Sequence, residues 1–123
     1  ARELLEMDPK YPSALRNMPA DEITSRDVAQ AAAKGDSLSI EVFNYTGRIL
    51  GEAFADFVAF SAPEAIVLFG GLAQAGELIF KPTIDAMEDN LLSIWKGKVK
   101  VIPSQLPGSE AAILGSAALA WEL

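Results

Sequence analysis

The chain has 123 residues, half of them hydrophobic, a formal net charge of -7, and neither Cys nor His. That length suits one domain with a real core, and the missing residue types exclude disulfides, the commonest metal ligands and the commonest general base. The negative field disfavours nucleic acid and anionic membrane as partners, and no apolar run is long enough to span a bilayer.

"ARELLEM", Ala1 to Met7, reads as an amphipathic helix already under way, with no capping residue before it. The chain is therefore expected to begin inside a longer protein. This stretch lacks the composition of a secretory leader, and a cytoplasmic location is expected. Residues 8–21 carry Pro9, Pro12 and Pro19, so residues 1–22 are expected to form an irregular helical lead-in. Thr24, with Asp27 three residues on, has the form of a reciprocal cap for a helix that stops at Gly35. Asp36 caps the next helix, whose apolar residues from Val42 to Val58 keep a three-and-four rhythm to about Phe60. They fall on both sides of it, which predicts burial on more than one face. Gly47 and Gly51 lie inside this helix, each costing roughly 0.5–1 kcal/mol against Ala, and predict a close crossing by another element. Pro63 follows the stop.

Ala65 to Phe69 is a short apolar run suited to the centre of a sheet. After a glycine-rich turn comes a helix from about Leu78 to Leu92, in which Pro82 must either begin the regular part or kink it. "KVKVI", Lys98 to Ile102, alternates charged and apolar residues and reads as a second strand, followed by a loop, "PSQLPG". Ser109 is placed to cap the last helix, "EAAILGSAALAW", with Glu110 in its first turn. That helix is small and apolar nearly all round and is expected to be enclosed on several sides. Two strands flanking a helix suggest a βαβ-like unit within one α/β fragment, residues 1–123. Two strands make a poor sheet for so much apolar helix, so the sheet is expected to continue in chain beyond this sequence.

Strand, glycine turn, helix is a common way to hold phosphate, because free backbone N–H groups and the positive end of a helix converge on an anion. In "LFGGLAQAGEL" the spacing from Gly71 to Gly76 matches the first half of a P-loop, but Glu77 and Leu78 stand where Lys and Ser or Thr are needed. The dinucleotide fingerprint fails as well. The glycines are spaced G-G-x-x-x-x-G, and Pro103 and Ser104 follow the second strand where a ribose-binding acid belongs. From these residues alone, a ligand loop and a plain sharp turn needing positive φ stand about even.

"PEAIVLFGGLAQAG", the helix before it and "PGSEAAILGSAALAW" after it together resemble the C-terminal part of the ROK family. These are bacterial sugar kinases, glucokinases above all, and related sugar-responsive repressors. The similarity runs from "ITSRDVAQAAAKGD" at Ile23 through to Trp121. It implies part of the C-terminal lobe of an actin-like, hexokinase-like ATPase fold (ribonuclease H-like), helix-rich with few strands. It implies that "IVLFGG" is the adenosine motif, with Gly70 and Gly71 facing adenosine and the α-phosphate and Leu72 beside them. ATP with Mg is then the implied cofactor, a hexose, glucose first, the implied substrate, and a homodimer the implied assembly. The alternative is the sugar-sensing domain of a repressor from the same family.

The resemblance also matches the last helix to the family's second connecting helix at the interlobe hinge, where Gly115, Ser116, Ala117 and Ala118 would supply a small surface. The family's D-x-G-G-T phosphate motif, catalytic-base Asp segment, second Gly-rich loop and structural zinc cluster have no counterpart in this sequence. No catalytic or metal-ligating residue is therefore assigned, and the chain alone is expected to be inactive. Asp36 and Glu110 read as helix-terminus residues, and Asp56, Asp85 and Asp89 as solvated faces.

Overall fold

The computed structural model describes residues 1–8, 12–106 and 108–121, with backbone alone at 108, 109, 111 and 112. Pro9 and Pro107, read above as parts of breaker segments, lie outside the described residues. The lead-in contains α1 (Arg2–Met7) and two 3₁₀ turns, Ala14–Asn17 and Ala20–Glu22. Within it Leu15 alone of the described residues is buried, and polar ties fasten the rest. The Arg2 guanidinium donates to the carbonyls of Asp21 and Ile23, both at 3.1 Å, and Arg16 donates to the Leu5 carbonyl at 3.2 Å.

Helix α2 (Ser25–Ala33) starts with the reciprocal cap that the sequence predicts. The Asp27 carboxylate accepts from the Thr24 N–H at 2.9 Å, and the Thr24 hydroxyl oxygen accepts from the Asp27 N–H at 3.3 Å. Helix α3 (Ser37–Ser61) follows, capped by Asp36, and ends on Ala62 in the left-handed region at φ 47°. The Asp36 carboxylate also reaches outside its own helix. It accepts from Ser39 N–H at 2.9 Å and the Ser39 hydroxyl at 2.6 Å, and from Ala14 N–H at 2.9 Å and the Ser13 hydroxyl at 3.0 Å. One side chain thus starts α3 and fastens the lead-in to it.

Helix α4 (Glu77–Asn90) lies across α3 and forms with it the centre of the core, where Leu38, Val58, Ile79 and Met87 are fully enclosed. The two glycines inside α3 face this contact. A Cβ on Gly47 would come within 2.6 Å of the Pro82 ring, and one on Gly51 within 2.4 Å of the Thr83 carbonyl oxygen. Pro82 therefore neither begins α4 nor sits idle in it: its ring fills the space that Gly47 leaves. The buried Thr83 hydroxyl donates to the Ile79 carbonyl at 2.6 Å, so the crossing carries no unpaired side-chain group.

Strands β1 (Ala65–Leu68) and β2 (Lys100–Pro103) pair in parallel, Ala65 opposite Lys100 and Leu68 opposite Pro103. With α4 between them they form the expected βαβ unit. Strand β2 begins two residues later than the alternation suggests, because Gly97, at φ 72°, still belongs to the preceding turn. Val99 is buried before pairing begins. Helix α4 stops at Asn90, with Leu91 already extended, two residues short of the expected end.

Helix α5 (Gly108–Trp121) begins one residue before Ser109, which therefore lies inside the helix rather than capping it. The expected enclosure of α5 is not met within this chain. Every described side chain on it is exposed, Trp121 to 90%. Its composition asks for neighbours on several sides, and no described element supplies them. Among the described residues, no helix is long and apolar enough to cross a membrane.

Candidate functional site

The turn after β1 brings Gly70, Gly71 and Leu72 to one place at the edge of the sheet. The three have different reasons to be there. Gly70 has φ 90°, which L side chains rarely adopt, so it is required by the turn itself. Gly76 closes the same loop at φ 61° and is required in the same way. Gly71 has neither excuse: its φ is not positive, and a Cβ built on it meets nothing within 4 Å. Folding alone does not call for glycine at this position. Leu72, half-exposed, leads into the 3₁₀ turn Ala73–Ala75. Among the described residues, the backbone N–H groups of Gly70, Gly71 and Leu72 donate to no partner.

Gly71 and Leu72 form one lip of a cleft of about 560 Å³ whose other wall is α2. Ala29, Ala33, Phe43, Ala75 and Leu78 make the apolar lining, and Ser25, Arg26, Gln30 and Gln74 make the polar rim. An apolar slot with a few convergent polar groups suits a flat heterocycle. A neighbouring cleft of about 600 Å³ shares Phe43, Ala75 and Leu78 and carries Glu77, Lys81 and Asp85. Lys81 is paired with Asp85 at 2.9 Å, which raises the lysine's pKa. The Glu77 carboxylate at the start of α4, whose charge also helps raise the Lys81 pKa, makes that side unfavourable to phosphate. The cationic group on the α2 side is Arg26. A smaller cleft, about 210 Å³, lies on the other side of the loop between Gly70, Gln74 and the end of β2.

The carboxylates set aside as non-catalytic occupy ordinary places. Asp36 is the cap described above, Asp85 is an exposed ion-pair partner, and Asp56, Asp89 and Glu110 are exposed. Among the described residues, no three His, Cys, Asp or Glu side chains gather into a group that could hold a metal ion. The α2 wall is the part of the site that sequence reasoning missed. Arg26 and Gln30 stand four apart on one face of an amphipathic helix, but such residues look like any solvated face until the loop is seen opposite them.

The ROK family's sequence profile matches residues 9–122. The Escherichia coli DNA-binding transcriptional dual regulator NagC is 30% identical over 89 residues, which cover 72% of this chain and 22% of that protein. A glucokinase from Thermotoga maritima is 28% identical over 98 residues, covering 80% of this chain and 31% of that protein. The crystal structure of a ROK family glucokinase from Streptomyces griseus, in complex with glucose and AMPPNP, superposes with a TM-score of 0.82 at 25% identity. It covers 96% of this chain and 39% of that one. The chain thus spans about a third or less of the curated relatives it matches.

Proposed function

The chain belongs to the ROK family and has part of its actin-like ATPase fold, and from that premise we propose that it is the adenosine-side portion of an ATP-dependent hexose kinase. Glucose is the proposed sugar and glucose 6-phosphate the product. The observation that carries this reading is Gly71, a glycine with no folding requirement, set with two neighbours' free N–H groups on the lip of an apolar cleft. A position kept without a side chain, facing open space, suits a ligand that presses against the backbone.

In this reading the base enters the cleft between α2 and the loop, and the ribose and α-phosphate lie over Gly70 and Gly71. Bound Mg-ATP supplies the γ-phosphoryl group, and such transfer depends mostly on positioning and charge stabilisation. The residues of this chain bind and orient the adenosine end, and the apolar lining keeps water from the base. Among the described residues no cluster fits Mg or zinc; in this reading the metal ligands and the base that accepts the sugar's proton are contributed by other parts of the enzyme. A cytoplasmic homodimer is the proposed setting.

The similarity to a transcriptional regulator favours a second reading, in which the chain is part of a repressor's sugar-sensing domain. The two differ in what the larger protein does. A kinase forms glucose 6-phosphate from Mg-ATP and glucose, whereas a repressor retards operator DNA and releases it when sugar is added. Retardation of DNA without turnover would decide for the repressor.

A further inference from the structure

We infer that Gln30 reads the edge of the nucleobase and gives the site its preference for a 6-amino purine. This rests on the adenosine reading above and adds a residue to it. The cleft is bounded on one side by Gly71 and Leu72 and lined by aliphatic and aromatic side chains, which recognise a flat ring but cannot tell one base from another. Discrimination must come from the rim. Arg26 there offers only donors and Ser25 a single hydroxyl, whereas Gln30 and Gln74 each carry a donor and an acceptor side by side. That pairing matches the 6-amino group and N7 of adenine, the complement by which amide side chains read adenine in nucleic acids, whereas hypoxanthine presents two acceptors along that edge.

Position separates the two glutamines. Gln74 belongs to the loop itself and sits on the ridge between this cleft and the smaller one beside Gly70, on the same side of the ligand as the glycine backbone. Gln30 stands across the cleft, on α2, where the edge of a base lying against Gly71 and Leu72 points. Its amide makes no hydrogen bond to another described residue, so nothing in the fold competes for it.

The test is calorimetric titration of the chain with ATP and with ITP, in which a 6-oxo group replaces the amino group. The wild type should favour ATP by about tenfold, the size expected when one well-made hydrogen-bonded contact is lost. Gln30→Leu, on an exposed helical position where Leu is well tolerated, should weaken ATP by about tenfold and bring the ATP-to-ITP ratio close to one. Gln30→Glu keeps an acceptor for the amino group and should retain the direction of preference. Gln74→Leu should leave the ratio unchanged, and circular dichroism confirms that each variant is folded. No binding by the wild type, or binding indifferent to Gly71→Val, overturns both this inference and the adenosine reading. Binding abolished by Gly71→Val together with a ratio that Gln30→Leu does not move, or that Gln74→Leu moves instead, overturns the inference alone.

Discussion

At the scale of single residues, Gly71 and Asp36 do opposite kinds of work. A side chain at Gly71 projects into open space, so Gly71→Val should fold and melt as the wild type does. In the kinase proposed above it should raise the KM for ATP at least tenfold, ~1.4 kcal/mol of lost binding, with sugar affinity unchanged. The control is Gly76→Ala, which places a Cβ at φ 61° and should lower the melting temperature instead. An early-melting Gly71→Val that binds ATP normally would contradict the adenosine assignment. Asp36 acts through its four hydrogen bonds. Partial burial raises its pKa, but the bonds from Ser39, Ala14 and Ser13 outweigh this and hold it below the ordinary 3.8. The fastening is therefore complete above that value and is lost as pH falls through the lower folded pKa. Asp36→Asn should lower the melting temperature markedly at pH 7 and by much less near pH 2, as thermal melts at the two pH values would show. The cap itself was legible in the sequence, being local. Its bonds to Ser13 and Ala14, more than twenty residues away, were not, because no spacing rule encodes them.

At the scale of elements, the α3–α4 crossing decides stability. Gly51→Ala would gain the roughly 0.5–1 kcal/mol of helix propensity. It would also force a Cβ against the Thr83 carbonyl oxygen and the Met87 N–H, which lie in the backbone and cannot move aside. Overpacking of this kind costs about 1–3 kcal/mol, so the net effect should be a loss, read as a lower midpoint in urea with an unchanged slope. A Gly51→Ala variant as stable as the wild type would mean that the helices cross farther apart than described. The sequence announces this crossing, since two glycines inside a long helix need a reason, though it does not say that Pro82 is the partner. The start of β2 was less legible. "KVKVI" alternates over its full length, and only the backbone at Gly97 delays the pairing. The cleft's loop lip was readable from its glycines, while its α2 wall depends on tertiary placement.

At the scale of the whole molecule, α5 presents a surface without a counterpart. Ile113, Leu114, Leu119 and Trp121 are all exposed, as are Phe57 and Phe60 on α3. Apolar area of this extent favours association, so the chain should form dimers or larger species as its concentration rises. Light scattering measures this directly, and a clean monomer at high concentration would count against it. Gly115 offers a sharper contrast. In this chain a Cβ there meets nothing within 4 Å, so Gly115→Ala should be neutral or slightly stabilising. In a two-lobe enzyme where another helix crosses α5, the same change should destabilise or slow turnover. The apolar character of α5 was plain from its residues, but its exposure was not, because it depends on tertiary neighbours that no described element provides. If the phosphate-positioning and base motifs lie outside this chain, as the proposed reading has it, the chain alone should form no glucose 6-phosphate from Mg-ATP and glucose above a buffer control.

The glycine contacts on α3 also govern which second mutations can rescue a first. At Gly47 the obstacle to a methyl group is chiefly the Pro82 side chain, at 2.6 and 2.8 Å. Replacing Pro82 with Gly removes it and returns an N–H to the helix, so a Gly47→Ala, Pro82→Gly pair should recover much of what Gly47→Ala loses. At Gly51 the nearest obstacles include main-chain atoms at 2.4 and 2.6 Å, which no replacement on α4 can delete. Trimming Ala86 would leave them in place. Descendants of this sequence can therefore drift at Gly47 in step with Pro82, whereas Gly51 has no escape route through a compensating partner.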